Sequence, residues 1–93
     1  MIMKVEIYMH EKINETSFRV LKLLTINYIQ FITYTFDDEV SMDLISEKIG
    51  KRIRKLPQVV VDNEPVGGYY DVMEYLINKK IINYEGTLWQ TPI

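Results

Sequence analysis

Cysteine is absent from the chain, which excludes a disulfide framework and any thiolate metal site. Histidine occurs once, at His10. No second imidazole is spaced to share a metal with it, so His10 is expected in a loop or on the surface. An excess of charge is also missing: 11 basic residues against 13 acidic ones leave a net charge of −2. That balance gives no electrostatic basis for binding nucleic acid or a membrane surface. No apolar run approaches the length of a membrane span, and the first residues lack the basic-then-apolar order of a signal peptide. A soluble, cytoplasmic protein is therefore expected. No linker, internal repeat or low-complexity segment interrupts the 93 residues, a length that suits one domain with a single modest core.

What is present centres on the stretch from Lys55 to Asp71. Pro57 precedes a continuous β-branched run, Val59-Val60-Val61, the pattern of a short strand covered on both faces. Proline donates no ladder bond and so belongs at the first position of that strand, where it is also a candidate for a cis peptide bond. Asp62-Asn63-Glu64 carries turn chemistry, and Pro65 pushes Glu64 toward extended geometry at the start of a second strand. Gly67-Gly68 then permits a sharp turn into a helix whose first N–H groups lack internal partners.

Ahead of that stretch, Met3 to Met9 alternates Lys4 and Glu6 with Val5 and Ile7, the period of a strand. His10 to Glu15 is polar and loop-like. From Thr16 or Ser17 the period becomes helical, with Phe18, Val20, Leu21, Leu23 and Leu24 on the apolar side and Asn14 or Thr16 as cap. Tyr28 to Phe36 is rich in aromatic and β-branched residues and predicts a second strand. Asp37-Asp38-Glu39 places acids where a helix start favours them. Val40, Leu44, Ile45 and Ile49 recur at helical spacing, and Gly50 is the expected stop. Val72, Met73, Leu76 and Ile77 supply the apolar side of a last helix. The predicted order is β-α-β-α-β-β-α.

That order, with Leu56-Pro57-Gln58, the valine run, Asp62-Asn63 and Gly67-Gly68-Tyr69-Tyr70-Asp71, resembles the glutaredoxins, small proteins of the thioredoxin fold. The opening strand Lys4-Val5-Glu6-Ile7-Tyr8 and the pair Leu23-Leu24 extend the likeness over residues 3 to 82. The tail from Tyr84, containing Leu88 and Trp89, has no counterpart and is expected to pack back on the domain. The resemblance implies an α/β thioredoxin-like (glutaredoxin) fold: a four-stranded mixed sheet with helices on both faces, strand two beside strand one, strand three on its other side and strand four at the end.

The resemblance fails where the chemistry of such proteins resides. Counting back from Leu23-Leu24 sets the family's Cys-x-x-Cys or Cys-x-x-Ser on Asn14-Glu15-Thr16-Ser17. A thiol in the first of these positions is activated by the helix N-terminus, which stabilises a thiolate. Asn14 can cap a helix but cannot attack, and Ser17 is barely ionised near neutral pH with no dyad to activate it. Either the chain lost its thiols naturally or they have been exchanged for other residues. Asn-Glu-Thr-Ser favours natural loss, because replacement ordinarily leaves Ser or Ala at both positions.

A groove for glutathione or an extended peptide is what the resemblance implies could persist. The backbone of Leu56 would pair with the ligand and Pro57 would shape the floor. The helix start at Gly68, Tyr69 and Tyr70 would take a carboxylate. Asp71 would meet an α-ammonium, and Lys12 would pair with the other carboxylate. Lys51, Arg52, Arg54 and Lys55 are expected to be a solvated loop. The functional expectation is a glutaredoxin-like binding or interaction module without redox-active cysteines. It needs no cofactor or metal, and it would engage a protein partner and, where the groove persists, glutathione. The alternative is a glutathione-dependent thiol–disulfide oxidoreductase stripped of its cysteines.

Overall fold

A computed structural model describes residues 3–83. The elements are β1 (Val5–His10), α1 (Glu15–Ile26), β2 (Ile32–Phe36), α2 (Met42–Ile49), β3 (Gln58–Val61), β4 (Glu64–Gly67) and α3 (Tyr69–Asn78). The sheet has four strands in the order β2-β1-β3-β4. β1 runs parallel to β2 and antiparallel to β3, and β3 is antiparallel to β4. The α/β architecture expected from the sequence, a mixed sheet with helices on both faces, is therefore the observed one.

The pleat of β1 and β3 divides the core in two. Val5, Ile7 and Met9 project to one face with Val59 and Val61, where Val20, Leu23 and Leu24 of α1 and Val72 and Leu76 of α3 cover them. Val60 projects to the other face, against Ile45 and Ile49 of α2, with Ile53 and Leu56 from the loop that follows. A run of three valines suits this position because alternate residues of one strand are buried by different helices.

Local chemistry moves several boundaries from their expected places. α1 starts at Glu15 because Asn14 caps it, its Oδ1 accepting from the Ser17 N–H at 2.8 Å. Its buried stripe is Ser17, Val20, Leu23 and Leu24. Phe18, expected on the apolar side, is rotated off that stripe and is 57% exposed. β2 starts at Ile32 rather than Tyr28 because residues 27–29 finish α1. The Tyr28 N–H reaches the Thr25 carbonyl, the Ile29 N–H reaches the Leu24 carbonyl, and Tyr28 has φ 57°. These are the paired bonds of a Schellman ending, with tyrosine in the left-handed position usually held by glycine.

α2 also starts later than the acidic run suggested. Asp37 Oδ1 accepts from the Glu39 N–H, and the Asp37 carbonyl accepts from the Val40 N–H, so residues 37–40 form a turn. Ser41 is the cap of α2 and Gly50, at φ 85°, its left-handed end. Leu44, assigned to the apolar side from its spacing, is 49% exposed. His10 is the last residue of β1 and half-buried, not a loop residue. The basic residues Lys51, Arg52, Arg54 and Lys55 are exposed in the loop before β3, as expected. The expected packing of Leu88 and Trp89 concerns residues outside those described.

Candidate functional site

Strand register brings the sequence-predicted residues to one end of the sheet. β1 and β3 pair from Val5↔Val61 to Tyr8↔Gln58, so the C-terminal end of β1 adjoins the N-terminal end of β3. Beyond those ends come the loop with Lys12 leading to the Asn14 cap, and Pro57 preceding β3. β4 ends beside the same point, Gly67 opposite Val59, and delivers the chain to the start of α3. Asn14–Ser17, Leu56-Pro57 and Gly68–Asp71 therefore share that end.

The Leu56–Pro57 peptide is cis. Both residues are buried, and a side chain added at Gly68 would come within 3.9 Å of the Pro57 carbonyl oxygen. The proline loop and the α3 start are thus in direct apposition. Gly67 has φ 128°, and a Cβ there would overlap the Asp71 carboxylate. Asp71 is turned back on its own helix, with Oδ2 accepting the Gly68 N–H at 3.1 Å. One of the unpartnered donors at the start of α3 is satisfied within the chain, leaving the amides of Tyr69 and Tyr70 as the donors a carboxylate would meet. The Tyr69 and Tyr70 rings meet edge to face at 5.2 Å. Tyr70 is 74% exposed. A cavity of about 390 Å³ beside them is lined from α1 by Arg19, Lys22, Leu23 and Ile26, and from α3 by Tyr69, Tyr70 and Met73.

At the start of α1 the side chains are those of a cap. Asn14 is committed to the Ser17 amide. Ser17 is 1% exposed, and its Oγ has no hydrogen-bond partner. A buried hydroxyl with no base beside it has no route to a nucleophilic alkoxide. Lys12 extends into solvent, with Nζ 4.0 Å from Asp38 Oδ2. His10 Nδ1 lies 3.9 Å from Asp38 Oδ1, too far for a hydrogen bond. Asp38 thus faces both His10 and Lys12 ahead of the cap, a role the acidic run did not signal. Among the described residues no group of three His, Asp or Glu is placed to hold a metal ion. No helix among them is long and apolar enough to cross a membrane.

Sequence reasoning missed a polar and aromatic cluster on the α2 side of β1 and β2. Tyr34 Oη donates to Glu6 Oε2 at 3.1 Å, and Lys4 Nζ stands 3.9 Å from Glu6 Oε1. Tyr8 stacks between Tyr34, at 5.0 Å, and Phe36, at 6.2 Å. The Glu6 carboxylate that accepts its hydrogen bond raises the Tyr34 pKa above 10.0, with desolvation adding to the effect. Burial, then Glu6, raises that of Tyr8. The alternation of Glu6 with Val5 and Ile7 could have flagged a second, more polar face of β1.

No protein-family model matches the sequence, and no curated protein matches it significantly. Solved structures do. Glutaredoxin 1 from Francisella tularensis, solved in complex with cacodylate, superposes with a TM-score of 0.68 at 22% identity, over 83% of this chain and 94% of that one. Reduced Escherichia coli glutaredoxin gives a TM-score of 0.56 at 20% identity, over 81% of this chain and 94% of the other. With no cysteine anywhere in its sequence, the chain has the glutaredoxin form of the thioredoxin fold.

Proposed function

We propose that the chain uses this fold as a binding module, without thiol–disulfide exchange, and that its ligand is an extended peptide or a glutathione-like tripeptide. The observation that carries the reading is the start of α1. Exchange requires a thiolate where the helix N-terminus can stabilise it. Asn14 stands there as a cap, Ser17 is buried, and no cysteine exists elsewhere to substitute. The apposed Pro57 and Gly68 support the groove half of the reading. In it, Leu56 offers its backbone to the ligand in the manner of strand addition. Pro57 forms the floor, the Gly68 to Tyr70 turn receives a carboxylate, and the Asp71 oxygen not bound to Gly68 receives an ammonium. Lys12, on the loop before α1, meets a second carboxylate after leaving Asp38. A protein carrying an exposed extended segment is the natural partner, and a soluble cytoplasmic setting fits it.

Two measurements test the proposal. Hydroxyethyl disulfide with glutathione reports exchange, and the chain should give no turnover above the uncatalysed rate; appreciable turnover overturns the binding-only reading. Calorimetry with reduced glutathione at millimolar concentration reports the groove. Heat that disappears in Asp71→Ala supports it, and an absence of heat removes glutathione as the ligand.

A further inference from the structure

The sheet has two edges, and they are built differently. β4, at one edge, carries the charged Glu64, Pro65, the positive-φ Gly67 and a register shift opposite Val59 and Val60. Those are the devices that stop an edge from pairing with another strand. β2, at the other edge, is Ile32-Thr33-Tyr34-Thr35-Phe36, with no charge, proline or glycine and an unbroken register against β1. No Asp, Glu, Lys or Arg occurs between Lys22 and Asp37.

The direction of its backbone groups follows from one bond. The Phe36 carbonyl accepts from the Glu11 N–H at 2.8 Å, so Phe36 bonds toward β1. In a parallel ladder alternate residues share that direction. Ile32, Tyr34 and Phe36 therefore bond to β1, while the N–H and C=O groups of Thr33 and Thr35 point away from the sheet. Ile32 is 52% exposed and Tyr34 is 40% exposed.

We propose that β2 is a self-association edge, at which two copies of the chain join antiparallel about a two-fold axis through Tyr34. The alternation fits that axis. Thr33 falls opposite the second copy's Thr35 as a hydrogen-bonded pair, and Thr35 falls opposite its Thr33. Tyr34 meets its own copy in the closer, non-hydrogen-bonded position. On the aromatic face Ile32 opposes Phe36, extending the Tyr8, Tyr34 and Phe36 stack across the axis, while the threonines pair on the other face. Charge permits the same register, because Asp37 falls opposite Phe31 and Asp38 opposite Gln30, so no like charges oppose. A shift of one residue would set outward-pointing groups against groups already bonded to β1. A second copy is thus favoured over an unrelated peptide by the match of the strand to itself. The association is independent of the ligand groove, which lies at the end of the sheet.

Sedimentation equilibrium of the full chain, from about 10 μM to about 1 mM, covers the affinities of interfaces at the small end of the usual range. The wild-type chain should show a reversible monomer–dimer equilibrium. Thr33→Lys with Thr35→Lys sets lysine against lysine in both pairs and should weaken the dimer about tenfold or more. Thr33→Lys with Thr35→Glu sets lysine against glutamate and should retain it. Both threonines are exposed, so circular dichroism should show the fold unchanged. Amide exchange needs no variant: Thr33 and Thr35 should gain protection as concentration rises, while Tyr34 does not change. A wild-type monomer throughout the range overturns the proposal. So does a dimer indifferent to the double lysine, or one that the lysine–glutamate pair fails to retain.

Discussion

Replacing Gly67 by alanine probes the junction on which the candidate groove depends. Gly67 is the second residue of a bulge: Val59 pairs with Gly67 and Val60 with Pro65, leaving Val66 as the extra residue. Its φ of 128° lies in a region that side chains other than glycine's rarely enter. Forcing alanine there costs about 1–3 kcal/mol in backbone strain. The new methyl would also sit 2.8 Å from Asp71 Cγ and 2.9 Å from its Cβ. The exposed Asp71 carboxylate can swing away, although its Cβ stays fixed by the backbone, and Oδ2 must then release the Gly68 N–H. Losing that capping bond costs about 1 kcal/mol more. The sum, about 2–4 kcal/mol, lowers the Tm of a domain this size by about 10–25 °C. Thermal unfolding followed by circular dichroism measures it. In an Asp71→Ala background the carboxylate overlap and the bond are already gone while the Cβ contact stays. Gly67→Ala should then cost the strain and that contact but not the bond, giving a coupling of about 1 kcal/mol. A Tm change under about 2 °C, or an equal cost in both backgrounds, refutes the reasoning.

The remaining predictions concern the caps, the buried hydroxyl and the tyrosine cluster. Ser17→Ala removes a buried, unpartnered oxygen and should raise stability by about 1 kcal/mol, read as a higher urea midpoint at unchanged slope; a lower midpoint would reveal a partner for Oγ. Tyr28→Gly relieves the left-handed strain at the end of α1 and should stabilise by about 0.5–1 kcal/mol, against which a loss would show that the 86%-exposed ring packs productively. Asn14→Cys should produce a thiol with a pKa below the free value of about 8.5, measured by the thiolate's ultraviolet absorbance against pH; an ordinary value would mean that the start of α1 exerts no useful field. Tyr34, its pKa raised chiefly by the bond to Glu6, contributes stability that is present below the unfolded value of about 10 and lost as pH rises through the folded value. The stability gap between the wild-type chain and Tyr34→Phe should therefore narrow above about pH 10. A gap constant with pH would exclude the linkage.

Residue order alone was enough to set the order of elements, the stop at Gly50, the two-sided burial of the Val59–Val61 run and the absence of any thiol. Each of these is a matter of composition, of period over a few residues, or of turn chemistry between neighbours. Tertiary structure decided which apolar residues are covered: Phe18 and Leu44 have suitable spacing, yet the packing of α1 and α2 on the sheet leaves both exposed. It also decided what shared residue types do. Asp37 folds a turn, Asp38 faces His10 and Lys12, and Asp71 bonds the Gly68 amide. A carboxylate's partner depends on which backbone or cation arrives beside it, and that is set by strand register and helix placement across long stretches of chain. The apposition of Pro57 with Gly68 and the position of β2 at the sheet edge have the same origin, since each exists only once β1 has taken its place between β2 and β3.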